Sequence, residues 1–317
     1  MQHKRLDFLA ALSGLLIALQ ARANGELSHR LGNGLQAALV SFTSGLIIIV
    51  FIALFNPSIK EGIRTLCSAV IAKAIPPWTL FAGMLGASFV AVQTQIVPLI
   101  GVAIYSVAAI AGQSAISLVV DRIGLTGGGK KQITPRRVTA AFVTVLAVFI
   151  SVADRLDGTD LSIAAVILGV FAGAIVGVQR ALNGRINEHS QQSFTTSLLN
   201  FAMGTTFLLI LLLFAMTIGG MKLSPLPTGP WWIYSGGAIG VIYVAFTSTI
   251  VQHLGVLTFT LISVGGQLAG SLLIDLVSPT DGVQISIYLV SGIVLTYLGV
   301  LVGGVRNSQL KRAATEK

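Results

Sequence analysis

Continuous apolar runs constrain the fold of this chain more than any other feature of its sequence. An α-helix needs about 20 residues to cross the hydrocarbon core of a bilayer. Runs of that length recur along all 317 residues, separated by short polar or Gly- and Pro-containing joints. Transmembrane barrels instead show alternating segments of about ten residues. We therefore predict an all-α polytopic membrane protein with ten transmembrane helices, at residues 6–22, 34–55, 77–97, 101–121, 137–153, 161–180, 193–217, 231–250, 254–275 and 285–304.

Charged residues are few and unevenly placed. The chain is 54% hydrophobic and only 10% charged, which is too little charge to cover the surface of a soluble domain. With a cytoplasmic N-terminus, only four of the 20 Lys and Arg residues face the other side, namely Arg22, Arg30, Arg155 and Lys222. This bias predicts a multi-pass protein of the plasma (inner) membrane with both termini in the cytoplasm. It also accounts for the net charge of +9, so we expect no nucleic-acid partner.

The sequence contains one unit twice. QARANG at residues 20–25 returns as QRALNG at 179–184, and the same offset of 159 aligns Phe42 with Phe201. Further along, an offset of 154 aligns the pair Gly112-Gln113 with the pair Gly266-Gln267. We predict a first five-helix repeat at 1–153, an extracytoplasmic linker at 154–160, a second five-helix repeat at 161–304 and a cytoplasmic basic tail at 305–317.

The number of helices in each repeat determines the topology. Because five is odd, the second repeat enters the membrane from the opposite side, and the two halves are inverted relative to each other. Inverted repeats are a recurring architecture of secondary transporters, in which the substrate binds near the bilayer midplane between the halves. The repeat therefore favours transport.

Three short motifs have characteristic spacings. They are Q-x-x-x-N-G in both repeats, S-F-x-x-G at Ser41–Gly45, and a GQ pair followed eight residues later by D-x-x-G at Gly112, Gln113, Asp121 and Gly124. These motifs resemble those of a known family, the YdcZ-type branch of the drug/metabolite transporter superfamily. The resemblance covers residues 6 to 304 and implies an inner-membrane exporter with ten helices in two inverted halves. The small multidrug exporters of that superfamily carry a glutamate deep in their first helix. Spans one and six of this chain have no such acid, so the coupling ion stays open.

Two glutamines are candidates for a central substrate site. Gln113 and Gln267 each lie about 12 residues into a span, near the midplane by a rise of ~1.5 Å per residue. A buried amide needs a partner, which is either a ligand or a neighbouring helix, and the sequence leaves both possibilities open. Tyr105 and Gln93 add hydrogen-bonding capacity near them.

Amide pairs follow the first span of each repeat. Gln20 with Asn24, and Gln179 with Asn183, are spaced one helical turn apart. We predict that they form polar gates on opposite sides of the central site and contribute to substrate binding. The alternative for the asparagines is a helix C-cap, because Asn-Gly commonly ends helices.

Two acids align between the repeats and are candidate gating residues. Asp121 and Asp275 end the polar stripes that begin at the central glutamines. Arg180 on the inner side and Arg22 on the outer side lie at levels where each could pair with one of them. The alternative is that both acids are ordinary end charges at the membrane interface.

Motifs of enzymes are absent from the sequence. There is no P-loop, no H-E-x-x-H and no paired intramembrane carboxylates, so we expect no enzyme activity, no cofactor and no metal. The candidate site contains amides and no buried charge, which favours export of a small neutral, zwitterionic or amphiphilic organic solute. The alternatives are a flippase for a lipid-linked headgroup and a non-transporting membrane scaffold. The expected partners are the small-molecule substrate and the lipid bilayer, and the sequence leaves open a homodimer with a second copy of the chain.

Overall fold

The computed structural model describes residues 2–125, 130, 132–151, 153, 163–254, 256–279 and 285–304, and all regular structure within them is helical. Ten α-helices occur there: α1 (Gln2–Leu31), α2 (Gly34–Phe55), α3 (Pro57–Ile71), α4 (Ala82–Ile123), α5 (Pro135–Ser151), α6 (Ile163–Ser190), α7 (Ser193–Thr217), α8 (Gly236–Leu254), α9 (Val256–Val277) and α10 (Ile287–Gly304). In the described part of the chain, five helical stretches are long and apolar enough to cross a membrane: Phe8–Leu31, Gly34–Phe55, Pro77–Ile123, Ile163–Ser190 and Ser193–Thr217. The predicted linker at 154–160 and tail at 305–317 lie outside the described residues.

Helix α4 joins two of the predicted spans. Within its 42 residues, Gly101 has φ 78° and ψ 168°, which interrupts the helical conformation. Only glycine adopts this backbone region readily, and Pro98 lies one turn earlier. The predicted joint between residues 97 and 101 is therefore a break between two helical segments with no intervening loop.

Helices α1 and α6 extend past the predicted ends of their spans. Helix α1 ends before Gly32 at φ 62°, and α6 ends before Gln191 at φ 54°. Asn24 and Asn183 therefore lie inside helices, and the C-cap alternative is wrong for both. The additional turns bring polar residues that were expected near the membrane interfaces into the interior of the bundle.

Helix α3 was not predicted. Asn56 caps it by accepting a hydrogen bond from Ser58 N at 3.1 Å, and Pro57 occupies its first turn, where a missing N–H is tolerated. One face buries Ile59 and Leu66 against the bundle, whereas Lys60 is exposed. This amphipathic pattern is that of a helix that lies along a surface.

Helices of the first repeat pack on helices of the second at matched positions. A Cβ on Gly112 would overlap the Val170 carbonyl, and a Cβ on Gly266 would overlap the Ala11 carbonyl. These two contacts are related by the sequence offsets. Small residues allow such close backbone approach between membrane helices, so α4 lies directly on α6, and α1 lies directly on α9.

Helices α2 and α7 meet through a reciprocal aromatic contact. The Phe42 and Phe201 rings lie with their centroids 5.0 Å apart. Gly45 faces the Phe201 ring and Gly204 faces the Phe42 ring, with no room for a Cβ at either glycine. Each ring thus packs on the residue that the offset of 159 aligns with it.

Candidate functional site

A small cavity lies between the two sequence repeats. It measures about 30 Å³, which is room for roughly two water molecules. Its walls combine amide, aromatic and aliphatic groups from six helices: Gln20, Phe42, Gly86, Phe89, Val90, Val176, Gln179, Asn200, Phe201, Gly240, Tyr243 and Val244. Several of these are pairs at the repeat offsets, so both halves line the cavity with equivalent positions.

Gln20 and Gln179, predicted at gates on opposite sides, both line this central cavity. Gln20 Nε2 donates to the Gly236 carbonyl at 3.1 Å, and Gln179 Nε2 donates to Asn200 Oδ1 at 2.9 Å. The structure brings them together because α1 and α6 continue beyond their predicted ends, which moves both glutamines toward mid-helix.

The two asparagines bind neighbouring amides. Asn183 Oδ1 accepts from Asn200 Nδ2 at 2.6 Å, and Asn24 Nδ2 donates to Gln93 Oε1 at 3.3 Å. Asn200 was missed at the sequence level, although a lone amide in the strongly apolar run 193–217 was a usable signal. These contacts show amide networks inside the bundle that extend outward from the cavity.

Arg180 is the charged residue that sequence reasoning placed wrongly. Its side chain is 1% exposed. Nε donates to Tyr243 Oη at 2.8 Å, and Nη1 donates to Gln113 Oε1 at 2.6 Å and to Thr260 Oγ1 at 3.4 Å. The guanidinium also lies over the Phe259 ring at 5.0 Å from its centroid. The expectation of a site without buried charge is therefore wrong, because α6 continues for ten residues past Arg180.

Neither of the predicted central glutamines lines the cavity. Gln113 binds Arg180 through its oxygen and leaves Nε2 without a partner. Gln267 is likewise buried, and its Oε1 has no partner. Tyr105 is buried beside Gln93, yet the Tyr105 hydroxyl and Gln93 Nε2 form no hydrogen bond of good geometry. Buried polar atoms without hydrogen-bond partners therefore occur on both α4 and α9.

Asp121 and Asp275 are buried and have different partners. Asp121 Oδ2 accepts from Arg137 Nη2 at 2.6 Å, so the predicted pairing with Arg180 is wrong. Asp275 accepts from Val102 N at 3.3 Å and Ala103 N at 2.7 Å, just after the break in α4. The exposed fractions of the two acids are 1% and 4%, which does not fit end charges solvated at an interface.

Arg22 on α1, which was expected near Asp275, contacts the residue that follows α9. Its Nη2 donates to Ser278 Oγ at 2.8 Å, and its Nη1 pairs with Glu26 at 3.2 Å. Ser278 directly follows α9, the helix that carries Asp275. Arg22 therefore ties α1 to the end of the helix that bears this acid.

Comparison with known sequences identifies the family. Two segments, residues 6–150 and 164–302, match the profile described as "Putative inner membrane exporter, YdcZ". The chain belongs to this family. Together the matched segments cover almost all of both predicted repeats, so the resemblance drawn from short motifs is confirmed. No curated protein is significantly similar in sequence to this YdcZ-family chain.

A solved crystal structure has the same overall fold. It covers 96% of this chain and 97% of its own length, with a TM-score of 0.54 and 15% sequence identity. At that identity the likeness concerns the fold alone. Family membership and the apolar helices establish this YdcZ-family chain as a multi-pass protein of the inner membrane in a family of exporters.

Proposed function

We propose that this protein is a secondary active transporter that exports a small organic solute by alternating access. The observation that carries the proposal is the cavity between the repeats, which equivalent residues of both halves line. Inverted-repeat transporters bind their substrates at such an interface near the midplane. The cavity in this conformation is smaller than an organic solute, so the halves must separate on one side to admit it.

The proposal includes ten transmembrane helices in two inverted halves. A 42-residue helix such as α4 would be about 63 Å long if straight, roughly twice the ~30 Å hydrocarbon core. The break at Gly101 supports counting it as two crossings. Helix α3 has 15 residues and is amphipathic, so it is counted as interfacial.

Alternating access needs two gates that are never open at the same time. We place them at the ends of the polar stripes, where Asp275 binds the N-terminus of the second segment of α4 and Asp121 binds Arg137. The Phe42–Phe201 contact lies between the halves and is a suitable pivot for their rocking. Opening one gate would break its carboxylate contact while the other persists.

Two other functions fit parts of the structure. A flippase needs a lateral opening to the membrane, and an apolar groove of about 420 Å³ lies between α3 and α7, lined by residues such as Ile63, Leu66 and Leu198. A scaffold would keep its polar residues sealed in helix contacts. The central cavity shares no lining residue with that groove, and its position between the repeats favours a transported solute.

Cysteine accessibility tests the proposal. Val90 and Val244 are equivalent positions on the cavity wall, and each should tolerate cysteine in a Cys67→Ser background. Transport predicts that a membrane-impermeant thiol reagent modifies both positions, with a rate that depends on the side of addition. Cys67, which is exposed, serves as the reactive control, and Ala108→Cys in the α4–α6 contact serves as the unreactive one. Cysteines at 90 and 244 that never react from either side would favour the scaffold.

Topology tags test the inversion separately. Reporters at the N-terminus, in the 122–136 segment and at the C-terminus should be cytoplasmic, and one at 154–160 should be extracytoplasmic. A cytoplasmic reporter at 154–160 would contradict the inverted repeats.

A further inference from the structure

We infer that Arg180 and its neighbours bind an anionic group of the transported substrate, a carboxylate or a phosphate. This inference rests on the proposed transport function and names the substrate class for the same site. The residues that carry it are Arg180 itself, Gln113 and Tyr243.

The first argument concerns charge. An arginine inside a membrane bundle is expensive and normally pairs with an acid or faces water. Within the described part of the chain, Arg180 forms no salt bridge and is 1% exposed. Its partners are a phenol, an amide oxygen and a hydroxyl, all of them neutral. A bound anion would supply the charge that these partners lack.

The second argument concerns geometry. The hydrogen bonds of Arg180 to described residues use Nε and Nη1, and none uses Nη2. Beside it, the fully buried Gln113 leaves its Nε2 donor without a partner. A planar guanidinium with free donor capacity matches the two oxygens of a carboxylate or phosphate. Two neighbouring side chains therefore have N–H groups that bind no described residue.

The third argument concerns access. Tyr243 lies on the wall of the central cavity, and its hydroxyl accepts the hydrogen bond from Arg180 Nε. One aromatic side chain thus separates the guanidinium from the space between the halves. A rotation of that side chain, or separation of the halves, would join the arginine to the cavity.

The fourth argument is the absence of the arginine from the first repeat. The offset of 159 aligns Arg180 with Ala21, which is also buried. The equivalents of its partners Gln113 and Thr260 are Gln267 and Ser106, and Gln267 Oε1 and Ser106 Oγ have no partners. The same pair of helices packs closely in both halves, so the packing does not require a cation. The arginine is an addition to one half only.

The anionic group could belong to a soluble solute or to a lipid headgroup. Arg180 faces residues of α4, α8 and α9 inside the bundle, which favours a solute that enters through the central cavity. The chemistry of recognition is the same for both sources, so the experiment separates them.

The test measures the melting temperature of purified protein with matched ligands. The anionic probes are N-acetyl-leucine, 4-methylpentanoate and glycerol 3-phosphate, and each has a neutral counterpart: N-acetyl-leucinamide, 4-methylpentanamide and glycerol. At least one anion should raise the melting temperature of wild type by roughly 2–4 °C through mass action, and its neutral counterpart should not. Arg180→Gln should weaken the apparent affinity for that anion by about tenfold or more, the loss expected for a hydrogen bond to a charged group.

Two further variants complete the test. Arg30→Gln, which removes a partly exposed arginine paired with Glu26, should retain the full shift. Arg180→Lys keeps the charge without the planar fork and should also lose affinity, so the test stands even if Arg180→Gln does not fold.

Several outcomes would overturn the inference. One is an equal rise in melting temperature with the anionic probes in wild type and in the Arg180 variants. Another is no rise in the melting temperature of wild type with any anionic probe. If a neutral probe stabilised wild type and Arg180→Gln equally, the result would contradict the anion site and leave the transport proposal intact. The source of the anion is identified by comparing the melting temperature in nanodiscs of phosphatidylglycerol with that in nanodiscs of phosphatidylcholine. Stabilisation by phosphatidylglycerol that requires Arg180 would support the anion site and assign it to a lipid headgroup.

Discussion

Arg180 and Ala21 occupy equivalent positions in the two repeats, and the side chains around them differ. Around Arg180 the polar atoms of Gln113 and Thr260 are used, whereas their equivalents in the first repeat, Gln267 Oε1 and Ser106 Oγ, are not. The glycines that bring the helices together are shared by both halves. The comparison teaches that shared positions bring the helices together and line the cavity, whereas the anion site that we propose lies where the repeats differ.

The largest effect should come from breaking what the halves share. Gly266→Ala would place a Cβ against the Ala11 backbone, whereas at the adjacent Gly265 the nearest atom to a Cβ is in the Tyr297 ring, at 3.2 Å. A backbone cannot move aside as a ring can. The loss of stability caused by Gly266→Ala should therefore exceed the ~1–3 kcal/mol that is typical of side-chain overpacking. We expect no monodisperse protein from Gly266→Ala and near-normal yield from Gly265→Ala. Equal yields of the two variants would argue against the close α1–α9 contact.

Substitutions of the two buried acids should have the next largest effects, and the two should destabilise the protein to different extents. Asp121→Asn removes the charge opposite Arg137, and a broken buried ion pair is destabilising by about 3–5 kcal/mol. Asp275→Asn removes an acceptor from backbone amides and should be destabilising by roughly 1–3 kcal/mol. Thermal unfolding in detergent measures both.

The same two variants test the gates. If each carboxylate closes one side, the variants should shift thiol labelling of Val244→Cys in opposite directions and lose transport while retaining expression. Identical labelling in both variants, with transport intact, would rule out the gating role.

A smaller contrast is expected between the two central glutamines. Gln113→Met removes the acceptor of a charged hydrogen bond and should be destabilising by about 1.5–3 kcal/mol. Gln267→Met removes a buried oxygen that has no partner, so its effect should lie within about 1 kcal/mol of zero. Melting temperatures of the two variants decide the matter. Equal losses would show that Gln267 has a structural partner of similar value.

The smallest effect should come from the caps of α2 and α7, which are equivalent positions. Asn33 accepts from Gln36 N at 3.0 Å, and Gln192 accepts from Phe194 N at 3.2 Å. Loss of an Asn cap typically costs about 1 kcal/mol, so Asn33→Ala should lower the melting temperature by a few degrees. Gln192→Ala should lower it less, because Gln is a less common cap. A reversed order in unfolding measurements would contradict this ranking.

The sequence predicted those parts of the fold that periodic residue patterns indicate. Apolar runs indicated the helices, and the aligned glycines indicated which faces pack closely, because small residues are the means of close approach. Helix α3 was missed because its apolar positions lie among charged residues in a short segment. The helix ends after Asn24 and Asn183 were misplaced because amide contacts inside the bundle outweigh the tendency of Asn-Gly to end a helix.

The candidate site was only partly predictable for a related reason. The amides Gln20, Gln179 and Gln113 were identified from their repetition, yet their grouping around the cavity depends on how the halves interlock. Arg180 occurs once, so the repeat gave no signal for it, and its partners Tyr243 and Thr260 are contributed by distant helices. A residue that breaks a repeat is easily overlooked when matching positions guide the search.

The buried guanidinium also gives this transporter an expected electrical signature. Moving one elementary charge through the full membrane potential changes the energy by about 2.3 kcal/mol per 100 mV. If Arg180 binds the anionic group as we propose, the carrier without solute holds a positive charge there, whereas the carrier loaded with a monoanion is neutral at that point. Voltage would therefore act on the return of the empty carrier and hardly on the loaded step, so the membrane potential would set the rate at which the site becomes available again.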